Sequence, residues 1–297
     1  MNDVPRRGVH NPPPDPNPRR PAYAVPPGSW DCHIHLFGPQ RLFAFAPESP
    51  YVSDDALPED YLALQDVLGL ERAVVVSGGG YGTDYSHLKW VLREHGDRLR
   101  GVMLPRPDFA TAEMEELNRL GVRGVRMFGA PPGNEWDHLP RIDKRIAGMI
   151  QEMGWHVQYH SITRDDIEGA ADPLLTLPGT IVIDHLGMFD PRLGLDQPGF
   201  KAILRLLDSG RVWIKLSGPM RAAREEDYPY PSITPYAQAL AKHAPERMLW
   251  GSDWPHVQMN DRVMPNDGDL LDLLALWVPD EKTRFRILAD NPLEIYG

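Results

Sequence analysis

The stretch Trp30-Asp31-Cys32-His33-Ile34-His35-Leu36-Phe37-Gly38-Pro39 (WDCHIHLFGP) decides how this chain is read. It follows a proline-rich leader and is the first run apolar enough to enter a core. Its length and composition read as a buried strand. Strand alternation puts His33 and His35 on one face and sends Cys32 and Ile34 to the other, toward covering helices. What the later strands bring to meet the two imidazoles then becomes the question.

Seven further short β-rich runs follow, at 73–77, 101–103, 122–127, 156–160, 180–184, 212–216 and 248–252. Amphipathic stretches separate them, at 58–68, 85–95, 111–120, 142–153, 164–176, 198–209, 232–243 and 268–277, and a last one covers 281–297. Pro58-Glu59-Asp60 suits a first helical turn: proline needs no N–H partner there, and acids complement the helix dipole. β-Branched runs alternating with helices indicate parallel strands covered on their outer face. Eight such units predict an α/β fold, a distorted (β/α)8 TIM barrel forming a single domain over residues 29–297. An open doubly wound sheet is the alternative. No Gly-x-Gly-x-x-Gly follows the first strand, which weakens its dinucleotide-binding form. Residues 1–28 hold too few apolar side chains to fold alone and read as a disordered or surface-draped leader.

Composition narrows the partners. The chain has 297 residues, with 31 Lys and Arg against 42 Asp and Glu, a net charge of −11. Such a balance does not suit a phosphate backbone, so no nucleic-acid partner is expected. No apolar run reaches the roughly 18 residues of a membrane span, so no membrane partner is expected. Cys32 is the single cysteine. It cannot form an intrachain disulfide, which fits a cytoplasmic location. Arg6-Arg7 and Arg19-Arg20 precede no apolar segment and do not read as an export signal. No oligomeric interface is legible.

In a barrel of this kind, catalytic groups stand at the C-terminal strand ends. The fourth strand ends in Arg123-Gly-Val-Arg126, and the fifth alternates His156, Gln158 and His160 onto one face. The sixth ends in Asp184-His185, the seventh in Lys215-Leu-Ser217-Gly-Pro-Met-Arg221, the eighth in Gly251-Ser252-Asp253-Trp254-Pro255-His256. Ionisable groups therefore collect where the predicted strands stop. The Gly78-Gly79-Gly80 triplet lacks the Gly-Lys-Ser/Thr of a phosphate loop and reads as a roomy turn.

The motifs DCHIHLFGP, GYGTDY, GVRGVRM, WHVQYH, IDHLG, SGPMR, GSDWPH and NPLEIYG resemble the amidohydrolase superfamily. More narrowly, they are similar to its 2-pyrone-4,6-dicarboxylate lactonase branch, from about Trp30 to Gly297. The resemblance implies a hydrolase that opens the lactone ring of a small carboxylated compound. Pyrone dicarboxylates, muconolactones and sugar-acid lactones are the candidate substrates. It implies Asp253 as general base for water, with His33, His35 and His185 as the other catalytic residues. Two ways of polarising the carbonyl stay open. One is a divalent metal, Zn or Mn, held by His33, His35, His160 and Asp253, as in much of the superfamily. The other is metal-free, with His33, His35 and His185 donating hydrogen bonds, as in the lactonase branch. Arg126, Arg221, Tyr51 and His160 are the implied substrate contacts; Arg123 reads as the outward-facing arginine, although alternation alone allows either Arg123 or Arg126 to lie inward. His160 stands where the lactonase pattern has Tyr, which favours metal. Phe128-Gly-Ala-Pro-Pro132 carries no second arginine, and Gly79 falls near a lactonase serine. Both departures favour a substrate with fewer carboxylates, a sulfonate, or a sugar-acid lactone. The alternatives are a metal-dependent decarboxylase of an aromatic or unsaturated acid and a non-catalytic ligand-binding barrel.

Overall fold

Ten strands form in the computed structural model, which describes residues 9–129, 144–164, 166–223, 226–259 and 262–297. They are β1 (Val9–Asn11), β2 (Trp30–Ile34), β3 (Tyr51–Ser53), β4 (Arg72–Val76), β5 (Leu99–Met103), β6 (Val122–Gly129), β7 (His156–Ser161), β8 (Ile181–Ile183), β9 (Val212–Ser217) and β10 (Met248–Gly251). The eight runs expected from the sequence are β2 and β4 to β10. They lie side by side in chain order in one parallel sheet. The ends of that sheet meet just beyond β2 and β10. The Asp253 N–H donates to the His33 carbonyl at 2.8 Å, and the His35 N–H to the Trp254 carbonyl at 2.7 Å. The sheet is thus a nearly closed barrel with helices around it.

The closing seam is tight. A Cβ on Gly251 would lie 2.8 Å from His33 Cβ and 2.9 Å from its backbone nitrogen, so bare backbone is needed. Asp31 pins the outer side of the seam. Its carboxylate accepts from the Ser252 hydroxyl at 2.5 Å, the Ser252 N–H at 3.0 Å and the Tyr61 hydroxyl at 3.1 Å.

One expectation about the first strand fails. The register between β2 and β4 shifts between Asp31 and Ile34. Such a bulge lets two successive side chains face the same way. Cys32 therefore enters the barrel as His33 does, and packs with Val74, Val76, Val102, Val182, Trp213 and Leu249 rather than under the helices. Ile34 does face the helix layer. Below Cys32 the stretch 281–297 closes the barrel floor. It divides into helices Glu281–Phe285 and Asn291–Tyr296 around a π-helical turn. The Tyr296 ring packs 6.1 Å from that of Trp30. Arg100 and Arg123 bond to the Tyr296 and Gly297 carbonyls, so Arg123 serves the floor.

The helices fall where the amphipathic stretches predict, within a residue or two at most ends. The first residues of the 142–153 stretch lie outside the described residues. Among the described residues, no helix is long and apolar enough to cross a membrane. Between the first strand and helix Pro58–Leu68, residues 36–51 build an aromatic wall. There His87 donates to the Gly38 carbonyl at 3.0 Å and lies 4.6 Å from the Tyr81 ring.

Two outcomes follow. Gly251→Ala forces the seam apart and should destabilise the fold by roughly 1–3 kcal/mol, read by denaturant unfolding. His87 bears on pH. Burial outweighs its hydrogen bond to Gly38 and lowers its pKa to about 4. An unfolded imidazole titrates near 6.5. The unfolded state thus binds more protons between these values, and stability falls as pH drops through that window. Thermal melts at pH 7 and pH 5 should show the loss, and His87→Gln should reduce it by about 2 kcal/mol.

Candidate active site

The C-terminal end of the barrel opens into a cavity of about 480 Å³. Of the expected site residues, His35, Tyr51, Arg126, His160, His185, Arg221 and Asp253 line it. His33 lies one layer deeper and is fully buried. Each arrives by its strand. His33 and His35 leave β2, Arg126 leaves β6, His160 leaves β7, and Asp253 follows β10. His185 and Arg221 sit in the short helical turns after β8 and β9. Glycines make room for two of them. A Cβ on Gly78 would meet the Tyr51 hydroxyl at 2.5 Å, and one on Gly218 would meet His185 Nδ1 at 2.6 Å.

Three imidazole nitrogens converge on one carboxylate oxygen. His35 Nε2 is 3.4 Å from Asp253 Oδ1, His33 Nε2 is 3.7 Å away, and His185 Nε2 is 3.8 Å away. The other oxygen is taken: Arg221 Nε and Nη2 each reach Asp253 Oδ2 at 2.7 Å. Burial pushes the Asp253 carboxyl up, but the Arg221 guanidinium and the imidazoles outweigh it and hold Asp253 ionised. Burial likewise lowers His33, and lowers His185 to about 4, so both rings are neutral.

The layer beneath was not expected from the sequence. Asp184, fully buried, receives Arg126 Nε and Nη2 on Oδ2 at 3.0 Å and Gln158 Nε2 at 2.9 Å. Its Oδ1 lies 3.2 Å from His33 Nδ1 and 3.4 Å from Lys215 Nζ. Lys215, also fully buried, donates to Gln158 Oε1 at 2.7 Å. Burial opposes charge on Asp184, and Lys215, His33 and Arg126 together overcome it. The available signal was polar residues at alternate positions of otherwise apolar strands, Gln158 in β7 and Lys215 in β9. Phe128, Thr163, Met188, Gln258 and Arg262 also line the cavity without having been singled out.

The donor set can be tested for a cation. His35 Nδ1 sits 2.7 Å from the Val76 carbonyl, which only accepts, so Nδ1 carries the hydrogen. With Nδ1 engaged there, Nε2 is the atom that His35 turns toward Asp253 Oδ1. Asp253 Oδ1 and His33 Nε2 are buried with no hydrogen-bond partner among the described residues. Buried polar atoms left without partners in this way fit a cation, and a histidine held by a backbone carbonyl is the usual arrangement of a metal ligand. Ligand atoms of His33, His35 and Asp253 lie within 4.8 Å of one another and could hold a metal ion. His160 is not in that group: its Nδ1 stands 3.9 Å from Asp184 Oδ2, and its ring packs edge-on to Phe128. The third imidazole facing Asp253 is that of His185.

Fold and site together define an enzyme of the barrel hydrolase class. The amidohydrolase family model matches residues 30–297, and the chain belongs to that family. It is 38% identical to a 4-sulfomuconolactone hydrolase of Rhizobium radiobacter, over 93% of this chain and 92% of the relative. It is 35% identical to a 2-pyrone-4,6-dicarboxylate hydrolase of Comamonas testosteroni, over 94% of this chain and 93% of that one. Among solved structures, an Agrobacterium tumefaciens protein in its apo form superposes with a TM-score of 0.81 at 27% identity, covering 93% of this chain and 98% of that chain.

Lys215→Met tests the layer below the site. It leaves Asp184 with one fewer cation and Gln158 without its donor. Removing one partner of a buried pair costs about 3–5 kcal/mol, so a loss of that size is expected in denaturant unfolding.

Proposed function

We propose that this chain is a hydrolase that opens the ring of a small anionic lactone. The observation that carries the reading is Asp253 Oδ1, ringed by three imidazole nitrogens within 3.8 Å at the base of a cavity whose wall bears Arg126 and Arg221. The lactone hydrolases among its relatives support it.

Asp253 takes a proton from water as the oxygen attacks the lactone carbonyl carbon. Arg221 on Oδ2 fixes the carboxylate so that Oδ1 faces that water. Negative charge gathers on the former carbonyl oxygen. His185 is placed to donate to it from Nε2, with Ser217 Oγ 3.0 Å from Nδ1 supplying that ring's other hydrogen bond. The ring C–O bond then breaks, and the leaving oxygen takes the proton from Asp253. The product is an open-chain acid. His33, His35 and Asp253 are the residues that would hold a divalent metal, Zn or Mn. When bound, it would polarise the carbonyl and favour hydroxide over water. The contact of His35 Nδ1 with the Val76 carbonyl, an orientation common to metal-ligating histidines, supports this arrangement.

Arg126 and Arg221 point guanidinium edges at the cavity while each holds a carboxylate of the chain. They suit an acid group on the substrate, a carboxylate or a sulfonate. Part of the region after Arg126, residues 130–143, lies outside the described residues. The lack of a second arginine in Phe128-Gly-Ala-Pro-Pro132 is a feature of the sequence.

A lactone panel tests the reading, with pyrone dicarboxylate, sulfonated muconolactone and sugar-acid lactones followed by ultraviolet absorbance. Turnover of at least one anionic lactone is expected, and Asp253→Asn should lower kcat about 10³-fold. Elemental analysis and chelator treatment of the purified protein read the metal. Carbon dioxide release from aromatic acids without lactone turnover would instead support the decarboxylase.

A further inference from the structure

The leader does more than cover the barrel. Asn11 ends β1, is 1% exposed, and bonds in two directions at once. Its Oδ1 accepts from the Gln258 N–H, and its Nδ2 donates to the Val52 carbonyl at 3.2 Å. Beside it, β1 pairs in parallel with β3, Asn11 opposite Ser53. Tyr51, at the start of β3, forms one wall of the cavity, and Gln258 forms another. One buried side chain of the leader therefore joins two walls that come from distant parts of the chain.

The Gln258 wall needs outside support. The loop from Asp253 to Gln258 places Asp253, His256 and Gln258 at φ of 72°, 64° and 60°. Non-glycine residues adopt this left-handed region only when their surroundings impose it. Bonds hold the loop from outside: the Gln258 N–H donates to Asn11, Arg221 donates to the Val257 carbonyl, and His256 Nε2 donates to Asp267 Oδ1 at 3.0 Å. The leader also docks beside Asp267. The Arg19 N–H donates to Asn266 Oδ1 at 3.0 Å, Asn266 Nδ2 to Asp15 Oδ2 at 2.8 Å, and the Ala22 N–H to Asp272 Oδ1 at 2.7 Å.

We propose that Asn11 is a positioning residue of the active site, clasping the Tyr51 strand to the loop that presents Asp253. It touches no reacting atom and acts through Val52 and Gln258. The proposal rests on the reading of this cavity as the substrate site.

Full-length Asn11→Ala, Asn11→Asp and Asp15→Ala test it by two readouts. Asp15→Ala loosens the leader away from the cavity and is the control. Amide hydrogen exchange of the protein alone comes first. Asn11→Ala should exchange faster than the parent over 51–53 and 256–259, whereas Asp15→Ala should match the parent there. Kinetics on the best lactone come second. Asn11→Ala should raise KM about tenfold, the scale of one lost hydrogen bond, with kcat little changed. Asn11→Asp keeps the acceptor for the Gln258 N–H and should recover most of the KM. It also stands in if the alanine variant does not fold, with faster exchange then confined to 51–53. Parental exchange in both Asn11 variants, or an equal KM rise in Asp15→Ala, would overturn the proposal. A parent inactive on every lactone overturns the function reading instead, and the exchange comparison still decides the clasp.

Discussion

The structure depends on one buried carboxylate. Asp184 sits where water cannot solvate it, and such a charge is tolerated only when other charges and donors surround it. Arg126, Lys215, Gln158 and His33 do so from β6, β9, β7 and β2, which fixes the relative heights of four strands. The group above inherits its order from this. Arg126 is aimed by Asp184 before any substrate arrives, and His33 is turned so that Nε2 points upward toward Asp253. The layer below sets two cations, Arg126 and Lys215, against the one carboxylate of Asp184.

The same logic assigns different work to chemically similar residues. Asp184 sets both oxygens against groups of the barrel interior, while Asp253 gives one to Arg221 and turns the other toward three imidazoles at the cavity. His35 has its Nδ1 engaged by a backbone carbonyl. His185 faces a serine hydroxyl that can donate or accept, so its outer nitrogen remains able to donate. His160, which the family resemblance groups with the ligands, lies on the Asp184 and Phe128 side of the cavity.

Much of this was legible beforehand, for a physical reason. Parallel strands buried on both faces leave unmistakable β-branched runs, and eight of them in order admit few architectures. The strand-end polar residues were legible because such ends are the barrel's open face. Three things were hidden. The bulge in β2 leaves no mark in a five-residue strand, so alternation misplaced Cys32. The Asp184 layer depends on which polar strand residues meet across the barrel, a relation between strands rather than within one. The leader's attachment rests on single hydrogen bonds from Asn11 and its neighbours, which apolar periodicity cannot register.

The seam between β2 and β10 carries a consequence for how the protein reaches its working state. Asp31 and Ser252, bonded across it, are 221 residues apart in the chain. Closing so long a loop is entropically costly and comes late in assembly. Seven strands can be laid down with their helices while His33 and Asp253 are still far from one another. A partly folded chain would then look nearly native by secondary structure and yet lack the cluster of imidazoles around Asp253. Recovery of turnover during refolding would accordingly time the final circularisation of the sheet, an event that helical content alone would miss.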